Sequence, residues 1–392
     1  MEITIFRKNQ ISQDHFKNQE LFRHHKCNVD LKIEKYGNFN DLDHTKARLD
    51  LLDRNAERFR RAAAKYLHEY ELVKILCKKQ VLSRAYFKLY EIIYFEPLMV
   101  QPNCDCFFIC EAPGGFIECV CDIRRKKNLP TRYVSISKQD HQIKYGNYLE
   151  ESSLIYGDIT CVSILNQTIH TTLERFPEGL DLITADGGFD VKIFVAQEIF
   201  SSKLLICEIY LALKTQKIGG MFVIKFFDMF THNSIVYYLL LCSFYNYVKI
   251  IKPKSSRNCN SERYLVCYGF KGGCVDDIYK IIENFEINNE VCTVIYPDFP
   301  VDNIILLSKL TAFNNIIVYE QIKTINESIK MVHTKNTYFQ NLLLGIFMDK
   351  IPEINKMYTL MLFKHILNSR IKKCIDFLRT YNIHVYNSRD IC

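Results

Sequence analysis

The chain lacks any apolar run long enough to cross a lipid bilayer, and its 392 residues include no tryptophan. Its longest apolar run lies around Ile235 to Phe244. A transmembrane helix needs about 20 consecutive apolar residues. The sequence also begins without the apolar stretch of a secretory signal. We therefore expect a soluble, intracellular protein, in the nucleus or the cytoplasm, that has no membrane partner.

Paired CxxC motifs are absent too, although the sequence has sixteen cysteines. A structural zinc site would require such pairs, or cysteines with a matching histidine spacing. The densest group comprises Cys104, Cys106, Cys110, Cys119 and Cys121. In a reducing compartment, cysteine packs as a small apolar side chain. We expect free thiols and no metal.

The excess of charge of one sign is small. Lys and Arg number 51 against 44 Asp and Glu, a formal net charge of +7. This excess suits a polyanionic partner such as nucleic acid but does not demonstrate one. Hydrophobic residues make up 48% of the chain, which is enough for a core and excludes wholesale disorder.

Three regions differ in composition, and none contains a repeat. Residues 1–55 are polar and irregular and predict an arm. Residues 56–273 hold a regular strand and helix pattern, long enough for one large domain. Residues 274–392 predict a mainly helical extension, with helical stretches near Asn326–Met348 and Lys356–Tyr381. This extension carries no assignable motif, and packing on the central domain is its default role.

An amphipathic helix is predicted from Glu57 onward, because apolar side chains recur there at alternating steps of four and three residues. They are Phe59, Ala63, Tyr66, Tyr70, Val73 and Cys77. The opposite face carries Arg58, Arg60, Arg61, Lys65 and Lys74. That face is either solvated or in contact with RNA.

Short β-type runs alternate with helical runs in the central region. The runs are Phe107–Cys110, Tyr133–Ser137, Leu154–Tyr156, Leu180–Ala185, Met221–Phe226, Tyr247–Ile251 and Tyr264–Phe270. The clearest helix extends from about Val195 to Lys217. This alternation predicts an α/β fold with a doubly wound, mostly parallel, seven-stranded sheet. In such sheets, ligands bind beyond the carboxyl ends of the strands.

The turn after the first of these strands is rich in glycine. Cys110 leads through Glu111–Phe116, which reads Glu-Ala-Pro-Gly-Gly-Phe, into a helix. Two glycines let a ligand approach the backbone, and the helix amides then point at it. The GxGxxG fingerprint of dinucleotide sites is absent. An acidic residue before Pro-Gly-Gly fits a zwitterionic amino-acid group better, although a plain turn is the alternative.

Two aspartates follow the next strands. Asp158 comes directly after the third strand, where a carboxylate can accept a hydrogen bond from an exocyclic amine such as that of adenine. Asp186 comes directly after the fourth, before Gly187 and Gly188. Asp158 has the alternative role of a helix cap, and Asp186 that of closing a turn. Three polar or glycine-rich turns at successive strand ends favour a binding site.

Lys225 stands within an otherwise apolar strand, Met221–Phe227. A lysine in a buried strand is costly unless it is paired or lies near the open end of the strand. It could ionise a substrate hydroxyl or accept its proton. Glu262 opens the last strand and could be its partner, and Lys88 lies on a helix ahead of the first strand. Surface charges or structural ion pairs are the alternatives for these two.

Together these segments resemble the FtsJ-like family of ribose 2′-O-methyltransferases. They resemble most the branch that methylates the first transcribed nucleotide of capped mRNA. The matching segments are Ala185–Phe189, Gln197–Leu213, Gly219–Thr231, Lys252–Arg257 and Asn260–Tyr264. The resemblance covers roughly Val81 to Lys271 and implies a Rossmann-like domain that uses S-adenosylmethionine.

The resemblance also implies roles for particular residues. The Lys-Asp-Lys-Glu catalytic tetrad of the family falls on Lys88, Asp186, Lys225 and Glu262. No metal is needed, because the positive sulfur already activates the methyl donor. A 2′-hydroxyl acceptor selects RNA over DNA.

Further implied contacts concern the cofactor and the RNA. The cofactor contacts fall on Ala112, Pro113, Gly114, Gly115, Phe116, Asp158 and Asp186. The contacts to the RNA backbone fall on Ser256, Arg257 and Ser261, for which turn residues are the alternative. The second strand ends in Ser135–Lys138 without the acidic residue that many methyltransferases use for the ribose of the cofactor. Glu111 stands where several relatives have a small residue.

Other interpretations stay open at this point. The RNA substrate is either the capped 5′ end of mRNA or a ribosomal or transfer RNA. A catalytically silent subunit that binds RNA is an alternative of another class, and so is a small-molecule methyltransferase. The composition, rich in Ile, Asn, Lys and Tyr, indicates an A/T-rich genome such as that of a large DNA virus.

Overall fold

The computed structural model describes residues 2–6, 39–138, 153–188, 197–288, 303–333, 336–348 and 351–386. The strands in these ranges are β1 (Glu2–Phe6), β2 (Asp105–Ile109), β3 (Arg132–Ser137), β4 (Leu154–Tyr156), β5 (Leu180–Ala185), β6 (Gln216–Phe226), β7 (Tyr245–Ile251) and β8 (Arg263–Phe270). The helices up to the middle of the chain are α1 (Asn40–Asp50), α2 (Arg54–Leu67), α3 (Val73–Leu76), α4 (Ala85–Ile93), α5 (Gly115–Arg125) and α6 (Val162–Arg175). The later helices are α7 (Gln197–Thr215), α8 (His232–Phe244), α9 (Asp276–Asn288), α10 (Asn303–Val332), α11 (Thr337–Phe347), α12 (Glu353–Leu362) and α13 (Lys364–Thr380).

One sheet organises the molecule, with the strand order β1-β7-β8-β6-β5-β2-β3-β4. Strands β4, β3, β2, β5 and β6 run parallel, and β8 lies antiparallel between β6 and β7. The predicted mostly parallel α/β sheet is therefore confirmed, and all seven predicted strands belong to it. The largest difference is at β6, which begins at Gln216 rather than Met221 and has a register irregularity between its pairings with Leu180 and Leu182.

Helices cover both faces of the sheet, because side chains alternate along each strand. In β2, Phe107 and Ile109 belong to one buried cluster, together with residues of α7 and α8. Cys106 and Phe108 belong to the other cluster, with residues of α4 and α5. The sheet is thus doubly wound, as predicted. The helices cover its two faces, and the carboxyl ends of its parallel strands are where a ligand site is expected.

The N-terminal residues contribute more regular structure than the predicted polar arm. Strand β1 pairs antiparallel with β7 and adds an eighth strand to the expected seven. Helix α1 packs against α10, and Lys46 within it forms a buried ion pair with Asp228 at 2.9 Å. The sequence did not indicate these elements, because each depends on a partner far along the chain.

The amphipathic helix predicted from Glu57 is divided into α2 and α3. Helix α2 ends at Leu67, because His68 adopts an extended conformation. The apolar spacing continues across the interruption, since both helices pack on the same buried cluster. The basic face is not simply solvated: Arg60 is buried and donates two hydrogen bonds to Glu57.

The C-terminal third is helical, as predicted, with different boundaries. Helix α10 begins before the predicted stretch, and the last predicted helix is divided at Phe363 into α12 and α13. Leu310, Phe313 and Ile317 of α10 join one core cluster, and buried side chains of α11 to α13 join the other. This third of the chain therefore packs on the central sheet layers.

The cysteines of the described ranges are all free thiols, mostly buried. No group of three potential ligands in this part of the chain is arranged to hold a metal ion. None of the helices traced within these ranges is both long enough and apolar enough to span a membrane.

Candidate active site

The functional candidates meet at one edge of the sheet. Strands β5 and β6 are parallel, so Asp186 and Lys225 lie side by side at their carboxyl ends. Strand β8 runs in the opposite direction and begins at this same edge, where its register pairs Tyr264 with Lys225. Glu262 immediately precedes it. Antiparallel insertion of β8 therefore brings a residue 37 positions later in the chain beside Lys225.

Two ion pairs connect the four charged residues of the predicted tetrad. The Lys225 ammonium lies 3.1 Å from Asp186 Oδ1 and donates a 2.7 Å hydrogen bond to the Asp186 carbonyl oxygen. The Lys88 ammonium lies 2.5 Å from Glu262 Oε1. Helix α4 supplies Lys88 from the layer above the sheet. The four side chains are thus brought together.

Tyr264 links the two ion pairs, and the sequence did not single it out. Its hydroxyl lies 2.8 Å from Asp186 Oδ1 and 2.8 Å from Glu262 Oε1. One phenolic proton can be donated to only one carboxylate at a time. Burial raises the pKa of Tyr264 well above its usual value, and the two carboxylates raise it further, so the hydroxyl stays neutral. The only sequence signal for Tyr264 was its position two residues after Glu262, which places both side chains on the same face of an extended strand.

The charge states within the group are mutually dependent. Burial by itself would lower the pKa of Lys225, yet Asp186 and Glu262 raise it, so the free site holds an ammonium. Burial would raise the pKa of Glu262, but Lys88, Lys225 and Lys252 together lower it to about 2. Lys225 and Glu262 are therefore both charged at neutral pH.

The Asp186–Gly188 turn is held from beneath by Glu208 of α7. The Gly187 amide donates to Glu208 Oε1 at 3.1 Å. Burial raises the pKa of Glu208 to about 8, so this carboxyl is largely protonated at neutral pH. A Cβ added at Gly188 would lie 3.2 Å from Lys225 Nζ. The glycine therefore keeps the space in front of the amine open to a ligand.

The glycine-rich turn after β2 has a support that the sequence did not indicate. The buried Glu111 carboxyl accepts hydrogen bonds from the amides of Phe116 at 2.6 Å and Ile117 at 3.0 Å. These N-terminal amides of α5 are therefore occupied from within the chain instead of pointing at a ligand. Gly114 has φ of 111°, a left-handed conformation that favours glycine. Burial raises the pKa of Glu111 well above its usual value.

The five turn residues predicted to hold the cofactor differ in accessibility. Ala112 and Pro113 are half-buried. Gly114 and Gly115 are buried, and a Cβ at Gly115 would clash with Ser83 ahead of α4. Phe116 is buried against Tyr264, with ring centroids 6.2 Å apart. Phe116 thus supports the turn from behind.

Asp158 lies at the carboxyl end of β4, as predicted. Its Oδ2 atom lies 2.8 Å from Lys138 Nζ, and its Oδ1 atom accepts hydrogen bonds from the Thr160 amide and hydroxyl. Burial would raise its pKa, but the bonds from Lys138 and Thr160 lower it, so the carboxylate is charged. A carboxylate has about four lone-pair sites and can still accept another hydrogen bond.

The donor set at this edge fits a positively charged cofactor with an adenine group. Carboxyl groups of Glu111, Asp158, Asp186 and Glu208 surround the space beyond β2, β4 and β5, against the charges of Lys138 and Lys225. Burial raises the pKa values of Glu111 and Glu208, although Lys225 lowers both. A sulfonium or ammonium group would add positive charge beside these carboxyl groups.

The residues predicted to contact the RNA backbone are occupied within the protein. Arg257 donates two hydrogen bonds to Glu71, at 2.9 and 2.8 Å. Ser256 and Ser261 are buried, with 1% and 2% of their surfaces exposed. Their arrangement therefore favours the alternative already raised, that of residues that shape the turn before β8.

Comparison with known proteins identifies the region that forms this site. Residues 81–270 match the model of the FtsJ-like methyltransferase family. A mouse cap-specific mRNA (nucleoside-2′-O-)-methyltransferase 1 is 35% identical over 213 residues, which are 49% of this chain and 25% of the relative. A protein of the same description from Trypanosoma cruzi is 32% identical over 174 residues, 42% of this chain and 47% of the relative.

Two further matches each cover about half of this chain. Mouse cap-specific mRNA (nucleoside-2′-O-)-methyltransferase 2 is 31% identical over 222 residues, 51% of this chain and 29% of the relative. A crystal structure described as a ribosomal RNA methyltransferase from Plasmodium falciparum matches 49% of this chain and 99% of its own, with 22% identity and a TM-score of 0.40. The chain thus spans between a quarter and a half of the length of these curated relatives.

Proposed function

Because residues 81–270 form an FtsJ-like methyltransferase domain, we propose that this protein transfers a methyl group from S-adenosylmethionine to a ribose 2′-hydroxyl of RNA. The observation that carries the proposal is the connected group at the carboxyl edge. Lys225, Asp186, Tyr264, Glu262 and Lys88 form one chain of ion pairs and hydrogen bonds. Such a set fits the activation of a hydroxyl group.

Lys225 is the residue that we assign to the nucleophile. Bound S-adenosylmethionine supplies an activated methyl group and a positive charge. Beside that charge, Lys225 holds its proton less tightly than in the free protein. After the ammonium has released its proton to solvent, the neutral amine could accept the proton of the 2′-hydroxyl as the oxygen bonds to the methyl carbon and the bond from that carbon to sulfur breaks. Gly188 leaves the space in front of the amine in which that hydroxyl would lie.

The other members of the charged group orient the Lys225 amine and stabilise its charge. Asp186 holds the amine through both its carboxylate and its carbonyl oxygen. Glu262, fixed by Lys88 and Tyr264, adds negative charge that stabilises the protonated amine after transfer. Alignment of the reacting atoms can contribute on the order of 7–11 kcal/mol. The residues of the turn Ala112–Gly115 and Asp158 would hold the two ends of the cofactor.

The substrate that we propose is the first transcribed nucleotide of capped mRNA. The curated relatives, at 31–35% identity over the matched region, carry the description cap-specific mRNA (nucleoside-2′-O-)-methyltransferase. The intact charged group argues against a silent subunit, because a protein that only binds RNA would not require both ion pairs. An intracellular location stays a prediction.

Transfer of labelled methyl groups to a short capped RNA tests the proposal. The matched RNAs are an uncapped one and a capped one with a 2′-deoxy first nucleotide, each run with wild type and Lys225→Ala. Label on the capped RNA alone, lost in the deoxy control and in the variant, is expected. Equal label on uncapped RNA would show that the cap is not required, and the substrate would then be assigned to another class of RNA. Absence of label on any RNA, with S-adenosylmethionine bound, would overturn the methyltransferase proposal.

A further inference from the structure

A cleft with a volume of about 180 Å³ lies outside the charged group, on the side of β7. Its lining includes His68, Tyr70, Pro253, Asn258, Ile316 and Glu320. The segment before α3, the turn after β7 and helix α10 thus contribute one wall each. Since a water molecule occupies about 30 Å³ in the liquid, the cleft has room for a single small ring system and not for a chain of residues.

His68 is the least expected residue of this cleft. Only 3% of its surface is exposed, and its Nε2 atom has no hydrogen-bond partner among the residues that the structure describes. A buried polar atom without a hydrogen bond lowers the stability of the protein, so a ligand atom that bonds to Nε2 would offset that cost in free energy. Burial, together with the neighbouring Arg84, lowers the pKa of His68 to about 3, so the imidazole is neutral. A neutral ring with a free nitrogen suits an uncharged polar ligand.

The remaining walls favour a flat ring with polar edges. Tyr70 presents an aromatic side chain beside His68, with ring centroids 6.2 Å apart. Pro253 and Ile316 supply apolar surface, whereas Asn258 and Glu320 are half-buried or near the rim and supply an amide and a carboxylate. Aromatic and apolar walls stack against a base, and amide or carboxylate groups read its edges.

A phosphate group fits this cleft less well. Lys252 lines it, but its ammonium is already directed at the carbonyl oxygens of Asn260 and Glu262, at 2.8 and 2.7 Å, and at Asn260 Oδ1. Glu69 and Glu320 place two carboxylates at the same cleft, against the ammonium groups of Lys252 and the exposed Lys254. The cleft therefore has no excess of positive charge that would favour an anion.

The position of the cleft relates it to the substrate. Strand β7 runs parallel to β6, so Lys252 at its end lies at the same sheet edge as Lys225. The cofactor turn and Asp158 lie on the opposite side, beyond β2 and β4. The Lys252 ammonium bonds to the Glu262 carbonyl oxygen, which connects the wall of the cleft directly to the charged group.

We propose that this cleft holds one nucleobase of the RNA, from a nucleotide adjacent to the methylated ribose, between Tyr70, Pro253 and Ile316. The proposal rests on the proposed function for the identity of the RNA, but base capture is measurable without methyl transfer. The base would bond to His68 and to the carboxylate of Glu320. Holding a neighbouring base would place the target ribose before Lys225.

Binding of short RNAs tests the proposal by fluorescence anisotropy, with S-adenosylhomocysteine present. The set comprises an intact capped RNA, the same RNA without its cap, and capped RNAs with one abasic site at the first, second or third nucleotide. The variants are Ile316→Trp, which fills the cleft, and Glu320→Gln, which removes a base acceptor charge. Matched controls on the same helix are Tyr319→Trp and Glu327→Gln, at positions outside the cleft lining.

Loss of the base that occupies the cleft is expected to weaken wild-type binding roughly tenfold or more. Ile316→Trp and Glu320→Gln should weaken binding of the intact RNA and show no further loss with that one modified RNA. The controls should behave as wild type. A loss confined to the uncapped RNA would identify the cap base as the occupant, and a loss confined to the abasic site at the second nucleotide would identify that base. A loss confined to the abasic site at the first or the third nucleotide would contradict the proposal, because neither is adjacent to the methylated nucleotide.

Two outcomes separate this proposal from the proposed function. Suppose that RNA is bound and methylated, but the loss of affinity caused by each cleft variant is the same for the intact RNA and for every modified RNA. The cleft then does not hold a base. Suppose instead that no RNA is methylated, but removal of one base weakens binding to wild type and not to the cleft variants. The base site is then supported and the proposed methyltransferase activity is contradicted. Failure of wild type to bind any of these RNAs overturns the base site.

Discussion

Tyr264 and Glu208 both contact the charged group, and neither was singled out in the sequence. Tyr264 connects Asp186 with Glu262, and Glu208 holds the amide of Gly187. A tyrosine in a strand and a glutamate on a predicted helix face are ordinary observations. Only the pairing of β6 with β8 places Tyr264 beside Lys225, and only the packing of α7 beneath the turn places Glu208 at the Gly187 amide.

Tyr264→Phe is expected to lower kcat for methyl transfer about tenfold, with little change in the KM for S-adenosylmethionine. The substitution keeps the ring but removes a hydrogen bond to charged groups, which is worth roughly 1.5–3 kcal/mol. Tyr268→Phe on the same strand is the matched control, because the Tyr268 hydroxyl bonds to Glu96 instead. Steady-state kinetics of the two variants provide the comparison. Equal kcat values for both would show that the bridge does not position the carboxylates.

Glu208→Gln is expected to become more stable relative to wild type as the pH rises from 4.5 to 8. Burial raises the pKa of Glu208 from 4.5 to about 8, so in this window the folded protein keeps a proton that the unfolded chain releases. Wild type therefore loses stability with rising pH, by at most about 1.4 kcal/mol per pH unit from this group. Urea unfolding at pH 5, 6.5 and 8 measures the difference, with the exposed Glu178→Gln as the control. A constant difference across the window contradicts the assignment.

The segment from Lys252 to Glu262 is held by several elements outside the sheet. Glu91 of α4 accepts the Lys254 amide at 2.6 Å, and Glu71 accepts both hydrogen bonds from Arg257. Burial would raise the pKa of Glu71, but Arg84 and Arg257 lower it to about 2. These anchors position Glu262 through the backbone that precedes it.

Arg257→Ala and Glu71→Gln are expected to lower the free energy of unfolding, and the double variant should be little worse than either. The shared ion pair implies a coupling of roughly 1.5–3 kcal/mol. Chemical unfolding of the four proteins measures it. RNA affinity should fall equally in the two single variants if Arg257 acts by anchoring. A fall restricted to Arg257→Ala would instead support the predicted contact with the RNA backbone.

The division predicted at residue 273 does not correspond to a break in the core. The buried apolar residues of the last third contact both faces of the sheet. They include Leu310, Phe313, Ile317, Leu343, Ile346, Phe347, Leu360, Leu367, Phe377 and Leu378. Each fully buried side chain of this kind stabilises the fold by about 1.5–3 kcal/mol. The three-part division stays a prediction about composition, whereas the packing is continuous.

Removal of residues 303–392 is expected to give an aggregating protein, because it exposes apolar surface on both faces of the sheet. A chain that ends at residue 386 is the control, since it keeps α10 to α13. Soluble yield and size-exclusion chromatography provide the measurement. Recovery of a monodisperse shorter chain with cooperative unfolding would show that the central domain is independent.

The sequence was sufficient for the seven strands of the central region and for the class of the sheet, because these depend on local spacing, whereas β1 was missed. Alternation of apolar residues and turns places Asp158 and Asp186 at strand ends, and the single lysine in an apolar strand marks Lys225. Only the folded chain decided that Lys88 meets Glu262, that Tyr264 joins the carboxylates and that Arg257 is committed to Glu71. These pairs connect residues separated by up to 186 positions, with a geometry set by helix packing and sheet register rather than by their immediate neighbours.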